Sequence, residues 1–206
     1  KAVVQLEHVE GDITGAIVMK QEPDSPTIIR GIIKGLTPGK HGFHVHEFGD
    51  LSDGCASAGG HYNPKEVNHG DPKSLDTARH VGDFGNIKAV GLQTTQVVYT
   101  DKIAKLSGTD KIVGRSIVIH ANRDDMGIGT GADLAGSQAS GNAGARVACC
   151  VITDVLSPNI PDGGRCNIET GGKRPICKEG TTSCCGTASL STSKMEVCGD
   201  KLKTKI

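Results

Sequence analysis

The sequence predicts an all-β domain, an antiparallel sandwich or barrel of eight short strands. Three observations predict it. Val/Ile-rich or alternating runs recur between turn signals, helical periods are few, and glycine is abundant at 29 residues while Trp is absent. Small-residue turns joining β-branched strands suit such a fold. At 206 residues the chain can hold one domain with a real core plus an appendage.

The strands are expected at 2–9, 13–20, 27–35, 41–47, 81–89, 95–100, 114–120 and 144–152. Asp24-Ser25-Pro26 separates the second from the third, and Leu36-Thr37-Pro38-Gly39 the third from the fourth. Ser107-Gly108-Thr109-Asp110 punctuates the approach to the seventh. Two long segments interrupt the pattern. Residues 48–80 contain Cys55, His61, His69 and His80, and residues 121–143 are polar and glycine-rich. Loops of such length in a compact domain are usually functional, and metal ligands would order the first.

Lys+Arg and Asp+Glu balance at 23 each, which argues against nucleic acid or an anionic membrane as partner. No apolar run approaches the roughly 20 residues that cross a bilayer. The chain begins at Lys1, which fits either a removed secretory signal or a trimmed start. Eight cysteines, concentrated in a polar tail, argue for disulfides in an oxidising compartment and hence for a secreted protein. A reduced, thiolate-ligand tail is the alternative, and the chain has no C-x-x-C pair to support it. From Thr153 onward apolar residues thin out, so residues 1–152 are expected as one domain and 153–206 as a cysteine-rich, disulfide-stabilised extension. The pairing of Cys150, Cys166, Cys177, Cys184, Cys185 and Cys198 stays open.

The chemistry lies in the histidines. In Gly42-Phe43-His44-Val45-His46-Glu47-Phe48-Gly49-Asp50, strand alternation projects His44 and His46 together and turns Val45 to the apolar layer. His61, His69, His80 and Asp83 follow as H-x7-H, H-x10-H and H-x2-D, and His120 comes later. Six imidazoles and a carboxylate at such spacings point to a metal site. His8 and His41 fall outside the series and are expected to be structural or solvated.

These strings, with His61-Tyr62-Asn63-Pro64, His80-Val81-Gly82-Asp83 and Gly141-Asn142-Ala143-Gly144-Ala145-Arg146-Val147-Ala148-Cys149, resemble copper/zinc superoxide dismutases over residues 1–152. The resemblance implies an eight-stranded Greek-key β-barrel/sandwich, immunoglobulin-like, with two long functional loops. It implies copper on His44, His46, His61 and His120, and zinc on His61, His69, His80 and Asp83, with His61 bridging. Asp124 matches the carboxylate that binds the outer nitrogens of His44 and His69, and Asp125 beside it is expected to be a solvated turn residue. Arg146 matches the arginine that holds the anion, and Cys55 with Cys149 the intrasubunit disulfide. Cys150, one residue on, should face away from Cys149.

The implied activity is superoxide dismutation, with superoxide as substrate and catalysis through the metal, Arg146 and His61. A homodimer is implied through Leu51, Ile112, Val113, Val151 and Ile152. Ala139 stands where some members carry a lysine, which weakens anion steering by that loop. Lys201, Lys203 and Lys205 offer a weak contact for a polyanion. The alternative function is a non-catalytic copper/zinc-binding extracellular protein on the same fold, which would lack a copper ligand or Arg146. A copper-chaperone domain would carry a C-x-C donor motif, and none occurs.

Overall fold

The computed structural model describes residues 2–8, 13–91, 94–154, 186–190, 193–198 and 201–204, with side chains for 13–91 and 94–154. His8's side chain and the cysteines after Cys150 lie outside the residues so described.

All eight expected strands form: β1 (Ala2–His8), β2 (Thr14–Lys20), β3 (Thr27–Lys34), β4 (Gly39–His46), β6 (Asp83–Ala89), β7 (Thr95–Asp101), β8 (Ser116–His120) and β9 (Arg146–Val151). A short β5 (Ser52–Cys55) sits in the first long segment, and β10 (Thr153–Asp154) pairs with β1. The antiparallel order is β6-β4-β8-β9-β1-β2-β3-β7. The path therefore ends on β6 and β7, which meet through side chains, with the Phe84 and Tyr99 rings 5.2 Å apart. Alternation works as expected. In β2, Ile17 and Met19 are buried and Val18 is turned out; in β3, Ile29 and Ile33 are buried between exposed Ile28, Arg30 and Ile32. β4 is buried on both faces from His41 onward, Val45 in the apolar core and the site histidines opposite.

The second long segment differs from expectation by holding a helix, α1 (Leu134–Ser140), which ends where Gly141 adopts φ 68°. Two residues of the expected dimer patch are also elsewhere. Ile112 and Ile152 are fully buried in the main core, because apolarity alone does not say which way a side chain points; Leu51, Val113 and Val151 are half-buried. Cys150 faces the main core, opposite Cys149, as alternation requires.

By compactness the chain divides into Lys1–Cys166 and Asn167–Ile206. In the second unit β11 (Gly186–Leu190), β12 (Ser193–Cys198) and β13 (Lys201–Thr204) form an antiparallel meander. No helix among the described residues is long and apolar enough to cross a membrane.

Candidate metal centre

Two ladders and one loop deliver the site. β4 supplies His44 and His46, β8 ends on His120, and β6 opens on Asp83. The loop from β5 to β6 supplies His61, His69 and His80. It is laid against β4 where Tyr62 N donates to Val45 O at 2.9 Å. Register slips occur beside the site on both flanks. Gly42 pairs with Asn86 but His44 with Asp83, so β6 carries an extra residue at a stretch where Gly85 has φ 72°. Ile119 pairs with Ala148 but His120 with Arg146, so β9 carries another. Such bulges re-aim the side chains next to them, here Asp83 and Arg146.

Hydrogen bonds fix the tautomer of five of the six rings. His44 and His69 donate from Nε2 to the two oxygens of Asp124, each at 2.8 Å. His80 donates from Nε2 to Val67 O at 3.0 Å, and His46 and His120 donate from Nδ1 to Gly59 O and Gly144 O, both at 3.0 Å. The opposite nitrogen of each neutral ring then carries a lone pair. Those lone pairs converge. Nδ1 of His61, His69 and His80 lie 2.9, 2.9 and 3.0 Å from one oxygen of Asp83, where a lone pair facing the carboxylate is repulsive, so each such nitrogen needs either a proton or a cation in between. Nε2 of His46 faces Nε2 of His120 at 3.3 Å, lone pair against lone pair.

Nδ1 of His44, His69 and His80 and Nε2 of His61 are buried with no hydrogen-bond partner. A cation between them resolves every one of these conflicts. The spacings approach the edge of about 3.3 Å in a tetrahedron of ~2.0 Å bonds. His44, His46, His61 and His120 form one group with ligand atoms within 4.8 Å of one another, and His61, His69, His80 and Asp83 form a second. His61 belongs to both.

Burial first, then the neighbouring His61, pushes the His44 imidazole down to about 3. Burial likewise lowers His120 to about 4 and lowers His46 and His61. His69 goes the other way. Burial opposes its charge, but the carboxylates of Asp124 and Asp83, one beside each ring nitrogen, outweigh burial and raise it to about 9 in the metal-free protein. Burial also opposes the charges of Asp83 and Asp124, yet their imidazole partners hold both well below the carboxylate range.

Backbone and outer side chains hold this set. Asn86 grips the main chain of Asp124 twice, donating from Nδ2 to its carbonyl at 2.9 Å and accepting from its N–H at 2.8 Å. A Cβ on Gly141 would sit 2.0 Å from Asp124 Oδ1, so glycine is required there. Asp125 is not merely solvated. It accepts from Ser137 Oγ and Asn142 Nδ2, each at 2.7 Å, tying α1 to the loop. His41 is buried, its Nδ1 2.9 Å from His120 O and its Nε2 2.9 Å from Thr37 O. Arg146 donates from Nη1 to Cys55 O at 2.6 Å and Ala56 O at 3.3 Å, and from Nη2 to Gly59 O at 2.6 Å. Cys55 and Cys149 are disulfide-bonded, with Cα atoms 5.7 Å apart.

Every site residue named from sequence thus lies in one constellation. Asn86 and the linking role of Asp125 were not foreseen, since neither belongs to a ligand spacing.

Residues 13–152 match the family model described as copper/zinc superoxide dismutase. An extracellular superoxide dismutase [Cu-Zn] of Brugia pahangi is 49% identical over 151 residues, 73% of this chain and 74% of that protein. A superoxide dismutase [Cu-Zn] of Onchocerca volvulus is 49% identical over 146 residues, 70% of this chain and 91% of its own. Superoxide dismutase [Cu-Zn] 5 of Dictyostelium discoideum is equally similar over 146 residues, 70% of this chain and 93% of its own.

Proposed function

Because the chain belongs to the copper/zinc superoxide dismutase family, we propose that His44, His46, His61 and His120 hold its copper and His61, His69, His80 and Asp83 its zinc. The enzyme converts superoxide to dioxygen and hydrogen peroxide, with copper and zinc as cofactors. The non-catalytic alternative is not favoured. One observation carries the ligand assignment. His61 turns Nδ1 toward Asp83 at 2.9 Å, and its Nε2 is buried without a hydrogen-bond partner, which gives one imidazole a face toward each shell.

Copper, when bound, supplies a one-electron couple that accepts an electron from one superoxide and returns it to the next. The chain's residues do the rest. Arg146 stays charged and offers directional donors to a small anion without competing for the metal. Its carbonyl anchors fix the plane of the guanidinium, and the disulfide at Cys55 fixes one of those anchors. Gly59 O accepts from both Arg146 and His46, so the anion holder and a copper-side ring share a support. Each hydrogen peroxide formed takes two protons from solvent, one of them carried by His61 Nε2, which can take up a proton whenever it does not hold the metal and give it up on returning to it.

We read residues 1–152 as the dismutase domain and 153–206 as a cysteine-rich, disulfide-stabilised extension of a secreted protein. Its eight cysteines and the relative named extracellular support this. A homodimer would form through Leu51, Val113 and Val151, and Lys201, Lys203 and Lys205 would be the contact for a polyanion. Light scattering of the full chain tests the dimer, and a monomeric mass removes it.

The ligand assignment is tested by electron paramagnetic resonance of the Cu(II) protein with and without zinc, in the parent and in His61→Ala. The parent spectrum should change on zinc removal, and the variant spectrum should not. A parent spectrum indifferent to zinc would count against the bridge.

A further inference from the structure

The seam between β6 and β7 contains a charged pair that the metal shells do not use. Arg79 is 2% exposed and Asp101 1%, and Arg79 Nη2 donates to Asp101 Oδ2 at 2.6 Å. Nη1 turns the other way, donating to His80 O at 3.2 Å and to Asp83 O at 2.9 Å. Nε is buried with no hydrogen-bond partner. We propose that Arg79 is the positioning residue of the zinc-side turn, latching the backbone of His80 and Asp83 to Asp101 across the open seam of the barrel. The proposal rests on the zinc assignment given above.

Desolvation makes a buried ion pair a poor way to gain stability, and an apolar pair of similar volume generally does as well or better. The seam already has such a pair in Phe84 and Tyr99. An apolar side chain cannot, however, hold two carbonyls. Both carbonyls that Arg79 holds belong to residues of the zinc-side shell, at the two ends of the turn 80–83.

The far end of the latch is rigid. Asp101 Oδ1 accepts from Ile103 N at 2.8 Å and Ala104 N at 2.6 Å, and Thr27 Oγ1 donates to Ala104 O at 2.7 Å. The anchor thus stands on β7, which supplies no ligand and takes its ladder from β3, while β6 takes its ladder from β4. The copper side has no need of such a device. Its β4 and β8 ligands sit on strands laddered on both sides, β4 between β6 and β8, β8 between β4 and β9.

Losing an outer partner of a metal ligand typically costs 10–100-fold in affinity. Arg79→Lys keeps the charge but lacks the fork that reaches a carboxylate and two carbonyls together. Zinc affinity, read by chelator competition, should fall about 10–100-fold in Arg79→Lys, and copper affinity should change by less than about threefold. Co(II) in the zinc site should show an altered visible spectrum. Asp101→Asn, which frees the far end, should act in the same direction and serves if Arg79→Lys does not fold. Parental zinc affinity and Co(II) spectrum beside a lowered melting temperature of the metal-free variant would make the pair merely structural and overturn the proposal. A parent protein whose Co(II) form is not tetrahedral would overturn the zinc assignment, and the latch with it.

Discussion

The zinc side of His61 has a carboxylate among its ligand atoms, Asp83, and the copper side has imidazoles alone. Around the zinc side, Asp83 meets three rings and Asp124 takes a fourth contact from His69. Around the copper side, His46 and His120 rest on Gly59 O and Gly144 O, His44 rests on Asp124, and the nearby cation is Arg146. The same residue type is driven in opposite directions: burial and the neighbouring His61 take His44 and His120 down to about 3 and 4, while two carboxylates outweigh burial and take His69 up to about 9. A shell that carries its own anion offsets half the charge of a divalent ion. A shell of neutral rings leaves the ion's charge uncompensated, so that it can change by one unit while Arg146 attracts the substrate.

The largest expected effect breaks this contrast at its source. Asp83→Ala removes the one anion that contacts all three zinc-side rings. Breaking a buried charged contact costs on the order of 3–5 kcal/mol, or roughly a hundred- to several-thousand-fold in zinc affinity. Copper affinity should suffer far less. Chelator competition for each metal measures both, and equal losses on the two sides would show that the carboxylate does not divide the site.

The contrast also predicts a pH dependence of the metal-free protein. Folded His44 and His120 stay neutral down to about 3 and 4, whereas unfolded imidazoles take up protons near 6.5. Between those values the unfolded chain binds more protons, so stability is lost as pH falls below about 6.5. Folded His69 keeps its proton up to about 9, so its contribution is complete below about 6.5 and is lost as pH rises toward 9. Denaturant unfolding of chelator-treated protein should therefore trace a dome with its maximum near neutrality and flanks on the order of a few kcal/mol. A curve that climbs or falls steadily from pH 4 to 9 would contradict it.

Arg146→Ala sharpens the contrast from the copper side. It removes the cation but no ligand, so kcat/KM for superoxide should drop about 10–100-fold at unchanged copper content, the scale of one lost charge-assisted donor. Arg146→Lys should recover only part, lacking the planar fork. Pulsed superoxide decay with metal analysis on the same sample reads both quantities. Parental turnover in Arg146→Ala would remove the anion site.

Much of this was legible in the sequence because strands state themselves locally. Alternation around Val45 put His44 and His46 on one face, and turn residues marked the ends of the second and third strands and the approach to the seventh. The second loop's helix was less legible, since a seven-residue run with Gly136 inside has little helical period to detect. Ile112 and Ile152 show the limit of apolarity as a signal, since it marks burial without saying against what. Asn86, Asp125 and Arg79 were hidden for another reason. They act on main-chain atoms or on partners 38, 17 and 22 residues away, contacts that no ligand spacing encodes.

Asn86 offers the smallest and most even effect. It touches no ligand side chain, only the N–H and carbonyl of Asp124. Asp124 in turn gives one oxygen to His44 and the other to His69, each at 2.8 Å. Loosening Asp124 should therefore disturb both sides alike, unlike Asp83→Ala. Asn86→Ala removes two hydrogen bonds at a half-buried position, a loss of about 1–3 kcal/mol in stability. The Cu(II) resonance and the Co(II) visible bands should shift together, by small amounts, with both metals still bound. A shift confined to one metal would mean that Asp124 serves one ring more than the other, and that the two sides are joined through His61 alone.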